Sequence, residues 1–348
     1  MKPLMITPDA PARHSEPWRR ELAAAVTDPG ELLALLGLDP GLLPAAREAA
    51  GRFGLRVPRG FVARMRRGDP DDPLLRQVLP LGAELVPAPG FGPDPVGDLA
   101  ATRTPGVLAK YHGRALLVAT GACAVHCRYC FRREYPYPAG TLAPGALEHA
   151  LATLGADPAL EEVILSGGDP LSLSTPRLAR LTEALRVLPG LRRLRIHTRT
   201  PIVLPARVDA ALLDWLHALP WHSVVVLHVN HAQELSDEVV QTAGALADTG
   251  ATLLNQSVLL RGVNDDADTL IELSQQLFDS GVQPYYLHLL DRVSGTAHFD
   301  VPEEKARALQ AELLARLPGY LVPRMVRERA GAPSKMPLIA ARELGERC

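Results

Sequence analysis

The chain is 348 residues long and nearly neutral, with 37 Lys plus Arg against 39 Asp plus Glu for a formal net charge of −2. That length can bury a large core as one or two domains, and that charge offers neither a broad basic field for nucleic acid nor an acidic tail. No leader sequence is read at the N-terminus and no apolar run reaches the roughly 18 residues of a membrane span, so a cytoplasmic compartment is expected.

In chain order, residues 1–100 read as an N-terminal, mainly helical unit. WRRELAAAVTDPGELLALLGL holds two amphipathic pieces broken at Asp28-Pro29-Gly30, and LLPAAREAAGRF reads as a third helix. The run Pro87 to Pro95 reads as a linker. From about residue 107 short apolar runs alternate with helix-period segments. Strands are predicted at 115–120, 162–167, 194–198, 223–229, 252–260 and 284–290. TPRLARLTEALRVL, DAALLDWLHAL and SDEVVQTAGALADTG lie between them as helices. This alternation predicts parallel βα units, too few for an eight-stranded barrel. The strands end in Ser166, His197, His228, Gln256 and Asp291, at the carboxyl ends where βα barrels keep their chemistry.

Three of four cysteines fall within eight residues, as Cys123-x3-Cys127-x2-Cys130 after the first of these strands. Such crowding is no disulfide framework. Three soft thiolates can ligate three irons of a [4Fe–4S] cubane, leaving the fourth iron open to the amino and carboxylate groups of S-adenosylmethionine. A zinc site is the competing reading, but it wants four ligands, and His126 adjoins Cys127 too closely to serve easily. Cys348, at the terminus, reads as a bystander.

The cysteine spacing, Tyr129 before the last cysteine, and Ser166-Gly167-Gly168-Asp169 after the second strand resemble the radical S-adenosylmethionine (radical SAM) superfamily. The resemblance implies a partial (β/α)6 TIM barrel over 101–330, preceded by the helical domain at 1–100 and followed by a segment at 331–348. The longer strings CRYCFRR, SGGDPL, HTRTPIVLP, LHVNH, NQSVLLRGVND and PSKMPL resemble the lysine 2,3-aminomutase family. Within it they look most like the branch that supplies (R)-β-lysine for modification of translation elongation factor P.

That family carries pyridoxal 5′-phosphate on a lysine Schiff base. Of the chain's four lysines (Lys2, Lys110, Lys305 and Lys335), the family position matches Lys335. Lys110, Tyr111 and Arg114 match the family's cofactor-phosphate pocket. Tyr129, Ser166, Gly167, Gly168, Asp169, His228, Asn230 and Gln256 match positions around S-adenosylmethionine. Arg132 matches the arginine for the substrate α-carboxylate, and Asp291 with Glu328 the pair for the lysine ε-ammonium. Read without the resemblance, the same residues could be a solvated lysine, a charged strand edge, a core histidine and two surface acids.

Thirteen residues follow Lys335, and Asp266 stands where family members with a zinc site place a cysteine. No zinc is therefore expected, and the elongation-factor role is favoured over catabolism of free lysine. The implied partners are L-lysine, an external reductant and the elongation factor P ligase pathway, with no nucleic acid or membrane. Another amino-acid aminomutase, such as one acting on glutamate, and a non-catalytic iron–sulfur or electron-transfer protein are the alternatives.

Overall fold

Apolar runs punctuated by turn residues become the strands of a ten-stranded sheet, in sequence order, in the computed structural model, which describes residues 16–142 and 145–338. The strands are β1 Thr102–Thr104, β2 Val107–Tyr111, β3 Arg114–Thr120, β4 Glu162–Gly167, β5 Arg193–Thr198, β6 His222–Leu227, β7 Thr252–Val258, β8 Gln283–His288, β9 Arg324–Arg327 and β10 Met336–Pro337. From β3 to β9 each neighbour is parallel; β1, β2 and β10 add antiparallel margins. Helices Leu147–Gly155, Thr175–Leu185, Ala210–His217, Asp237–Asp248, Ala267–Asp279 and Glu303–Arg316 make the crossovers. All six expected strands form. The parallel run also gains β9, which the sequence did not announce. Lys2, Cys348 and the end of the 331–348 segment lie outside the described residues.

Burial explains the register. The buried alternate residues of the sheet, such as Leu117, Leu165, Leu194 and Val225, face the crossover helices in the largest core cluster. On β5 this turns Arg193, Arg195 and His197 to the other, half-buried side. Burying a Leu or Val side chain contributes about 1.5–3 kcal/mol, so a slip of one residue would be strongly disfavoured.

The N-terminal helices begin as the sequence implied. Asp28 caps helix Pro29–Leu36, its Oδ1 accepting from the Glu31 N–H at 3.0 Å. Their core, built on Trp18, Leu32, Phe61 and Leu74, also takes in Ala124 and Val125 of the cysteine loop and Val203 and Leu204 after β5. The helices therefore brace the loop that carries the cysteines. The Pro87–Pro95 run is no free tether, because Gly92 pairs with the chain after β8: its N–H donates to the Arg292 carbonyl at 3.0 Å.

Candidate active site

The cysteine loop leaves β3 at its carboxyl end and is fastened on two sides. Toward the helices, the wholly buried Arg128 donates to both Glu84 oxygens at 2.8 and 2.6 Å and to the Phe53 carbonyl at 2.7 Å. Arg133 adds a bond to Glu84 at 2.7 Å. His126 donates its backbone N–H to the Arg56 carbonyl, and its Nδ1 lies 2.9 Å from the Gly54 carbonyl, so its ring is a strut of the loop.

Toward the barrel, the Gly168 N–H donates to the Thr120 carbonyl at 2.7 Å and the Asp169 N–H to that of Ala122 at 2.8 Å. Gly167 has φ 121°, and a Cβ on Gly168 would lie 2.3 Å from the Ala122 oxygen. The glycine pair thus lets two backbones meet just before Cys123. Gly168→Ala is expected to displace that lead-in and lower the iron retained per chain, as read by iron analysis against wild type. Asp169 takes the Leu171 N–H and Thr198 hydroxyl on Oδ1, and the Arg199 and Thr200 N–H groups on Oδ2. It fixes the turn after β5.

That turn presents Arg199, which sequence reasoning missed. Its Nη1 donates to Cys127 Sγ at 2.8 Å and to the Tyr129 hydroxyl at 2.7 Å; its Nη2 donates to Gln77 at 2.6 Å and Glu234 at 2.9 Å. The Tyr129 hydroxyl also meets His228 Nε2 and Asn230 Nδ2, each at 2.7 Å. Burial, reinforced by Arg199, pushes His228 down to about 3, so its ring is neutral. Asn230 is fully buried, and its amide is spent on Gln77, Tyr129 and the Val258 N–H. Asn230 and Asp169 therefore build the wall of the site, while Gln256 sits half-buried on β7.

The thiols fit a cluster. Burial first, then neighbouring thiolates, push Cys130 up to about 11 and raise Cys123 as well. A cationic iron centre would reverse both effects. Among the described residues no three His, Cys, Asp or Glu side chains converge as on a single metal ion. A cubane does not ask for that, since each thiolate binds a different iron.

Beyond the cysteines runs a ladder of ions. Arg132 Nε donates to Asp98 Oδ2 at 2.7 Å, and Lys110 Nζ lies 2.5 Å from Asp98 Oδ1. Lys110 also reaches Glu328 Oε1 at 2.8 Å, and Lys335 reaches Glu328 Oε2 at 2.6 Å. Arg132 Nη1 donates to the Ser166 hydroxyl at 3.1 Å. The expected pocket residues thus come together, with Lys110 paired to two carboxylates. Arg114 has no carboxylate partner among the described residues and lies 4.9 Å from the Tyr111 ring. Burial opposes the charge on Glu328, yet Lys335 and Lys110 hold its carboxyl down at about 2. Asp291 goes the other way: burial and then Glu328 push it up to about 7.

The surroundings of Lys335 suit an aromatic aldehyde phosphate. Lys335 Nζ sits 5.7 Å from the Tyr286 ring, and among the described residues His197 Nε2 is buried with no hydrogen-bond partner. Burial and then the cations Arg195, Lys335 and Arg132 keep His197 neutral. An orphaned imidazole nitrogen, an uncommitted arginine and a lysine amine are what such a group would use.

A thiol loop at the carboxyl end of a partial parallel barrel, backed by a glycine pair, defines a radical SAM enzyme, and residues 117–273 match the Radical SAM superfamily. The chain is 50% identical to an L-lysine 2,3-aminomutase of Escherichia coli K12 over 96% of its length and 97% of that protein. It is 42% identical to the enzyme of that name from Haemophilus influenzae over 95% of its length and 98% of that protein. With the one from Clostridium subterminale it shares 31% over 92% of its length and 77% of that protein. The chain belongs to the lysine 2,3-aminomutase family of radical SAM enzymes, whose members are isomerases that use a [4Fe–4S] cluster and S-adenosylmethionine. No described helix is long and apolar enough to cross a membrane.

Proposed function

We propose that the chain is an L-lysine 2,3-aminomutase that moves the α-amino group of lysine to the β-carbon, giving (R)-β-lysine. One observation carries the choice of substrate: a lysine ammonium, that of Lys335, already sits 2.6 Å from Glu328, with Asp291 close enough to be pushed up by it. Paired carboxylates facing a cation would accept the ε-ammonium of lysine and repel a glutamate side chain. At the opposite end Arg132 Nη2, which makes no hydrogen bond among the described residues, is left to bind the α-carboxylate.

Cys123, Cys127 and Cys130 would hold the cluster, which would supply the one-electron chemistry that S-adenosylmethionine needs, with an external reductant as the electron source. Pyridoxal 5′-phosphate would be held by Lys335, with Arg114 and Tyr111 at its phosphate and His197 beside it, and it supplies a π system conjugated to the migrating nitrogen. Before Lys335 can bond a carbonyl it must shed a proton, and Glu328 holds that N–H. The barrel wall of Tyr129, His228 and Asn230 excludes water from the radical path.

The test is an anaerobic assay of reconstituted, reduced protein with L-lysine or L-glutamate, following β-amino acids by mass spectrometry beside a Lys335→Ala variant. β-Lysine from lysine alone, abolished in the variant while cofactor cleavage persists, is the expected result. Cofactor cleavage without β-lysine would sink the substrate assignment. The resemblance of the motif strings supports a finer role in the cytoplasm, supply of β-lysine for modification of elongation factor P. Deleting the gene should then remove a β-lysyl mass from that factor; an unchanged mass would refute the role.

A further inference from the structure

Among the described residues the sheet is not closed by hydrogen bonds: its order runs from β1 to β10, and those end strands pair on one side only. The ion ladder joins the two ends of this sheet, because Lys110 stands on β2 and Glu328 follows β9. The residue that ties this bridge to Arg132 is Asp98, which no cofactor or substrate assignment has used. Both of its oxygens are engaged, Oδ2 with Arg132 and Oδ1 with Lys110.

We infer that Asp98 is a positioning and specificity residue, which with Lys110 forms a fixed spacer between Arg132 and Glu328 and so selects the amino acid by the distance from its carboxylate to its side-chain ammonium. This rests on the reading of these residues as a lysine site, with Arg132 at its anion end and Glu328 at its ammonium end.

Three features make the spacer rigid. Side-chain exposure is 2% at Asp98 and 6% at Arg132 against 19% at Lys110 and 14% at Glu328, so its anchor is dry. Asp98 is itself pinned by Asp94, whose two oxygens take the Asp98 and Leu99 N–H groups at 2.8 and 3.0 Å, while its carbonyl accepts from the Thr102 hydroxyl at 3.0 Å. Gly97, with φ 68°, lies so close to Ala330 that an added Cβ would come within 2.8 Å of the Ala330 Cβ. The loop that carries Asp98 is thus seated on the chain just beyond Glu328. Burial works against the Asp98 charge, but Arg132 and Lys110 outweigh it and hold the carboxyl below its usual range.

The spacer also fixes how Arg132 offers itself. Asp98 takes Nε, and the Ser166 hydroxyl and Gly167 carbonyl take Nη1, which points Nη2 to an incoming carboxylate. An amino acid one methylene shorter than lysine can satisfy one end of such a frame but not both.

The experiment compares wild type with Asp98→Asn and Lys110→Met, each reconstituted with cluster and pyridoxal phosphate. It measures kcat/KM for lysine, ornithine as substrate or competitive inhibitor, and iron and pyridoxal phosphate retained per chain. Truncating one partner of a buried charge pair weakens binding by about 30-fold or more. Asp98→Asn should therefore lower kcat/KM for lysine by about that factor, chiefly through KM, and narrow the lysine-over-ornithine preference about tenfold with iron content unchanged. Lys110→Met should narrow the preference likewise while retaining pyridoxal phosphate. An unchanged preference despite a general loss of rate, or loss of iron in Asp98→Asn, would make the contact merely structural and overturn the inference. So would loss of pyridoxal phosphate in Lys110→Met, which would return Lys110 to the phosphate. The wild-type arm alone tests the aminomutase reading, so the two failures are separable.

Discussion

Replacing Arg128 by methionine is expected to strip the chain of its iron while the barrel stays folded. The side chain is completely buried, and its guanidinium is spent on both oxygens of Glu84 and on the Phe53 and Gly54 carbonyls. Its backbone N–H donates to the Gln77 carbonyl at 2.8 Å. One residue between two cluster cysteines therefore ties the loop to three separate stretches of the N-terminal helices. Methionine keeps much of the volume but leaves Glu84, 5% exposed, with Arg133 as its only cation. Breaking a buried pair by removing one partner costs about 3–5 kcal/mol. A domain this size can bear that, but the cysteine loop loses its paired hold on Glu84 and its ties to Phe53 and Gly54, which its remaining contacts do not replace. Lysine in its stead should rescue little, because it cannot make the paired bonds of a guanidinium. Iron and sulfide analysis with far-ultraviolet circular dichroism checks this: a full iron complement in Arg128→Met would refute it.

The elements that could be read in advance are those whose cause is local. β4, buried at every position, carries the apolar run Val163-Ile164-Leu165 just before the glycine pair, and β5 alternates strictly. The cysteine loop declares itself by spacing alone. β9 escaped notice because Arg-Met-Val-Arg is four residues long with a charge at each end, and only its place beside β8 makes it a strand. Missed site residues share another trait: their partners are distant in sequence. Arg199 meets Gln77 across 122 positions and Cys127 across 72, and nothing in HTRTP marks that arginine as the one beside a thiol. Asp98 was hidden just past a Pro/Gly-rich stretch that reads as a linker. Lys110 shows the same limit. The resemblance offered it for a phosphate pocket, and the sequence could not show that it also pairs with Asp98 and with Glu328, 218 positions away. A charge's role follows its partner, and the partner is a property of the fold.

Lysine binding is expected to weaken about tenfold for each pH unit below 7, and Asp291→Asn should abolish that dependence along with most of the affinity. The cause is the carboxylate pair. Burial and the neighbouring Glu328 push Asp291 up to about 7, while Lys335 and Lys110 keep Glu328 charged with its carboxyl at about 2. An arriving ε-ammonium needs Asp291 ionised, so binding releases a proton and favours high pH. At pH 6 about one protein in ten has the charge in place; at pH 8 about nine in ten do. The asparagine variant keeps the shape but never carries the charge, so its weak binding should be flat across this range. Stability must move in the opposite sense. A carboxyl raised in the folded state lends stability below its unfolded value near 4, and that stability is lost as pH rises through 7. Asp291→Asn should therefore melt higher than wild type at pH 8 and equally at pH 3. Titrating lysine affinity and melting temperature on the same two proteins separates a binding carboxylate from a structural one. A variant that melts lower at pH 8, or that binds lysine as wild type does, would mean the second carboxylate of the ammonium site is not Asp291.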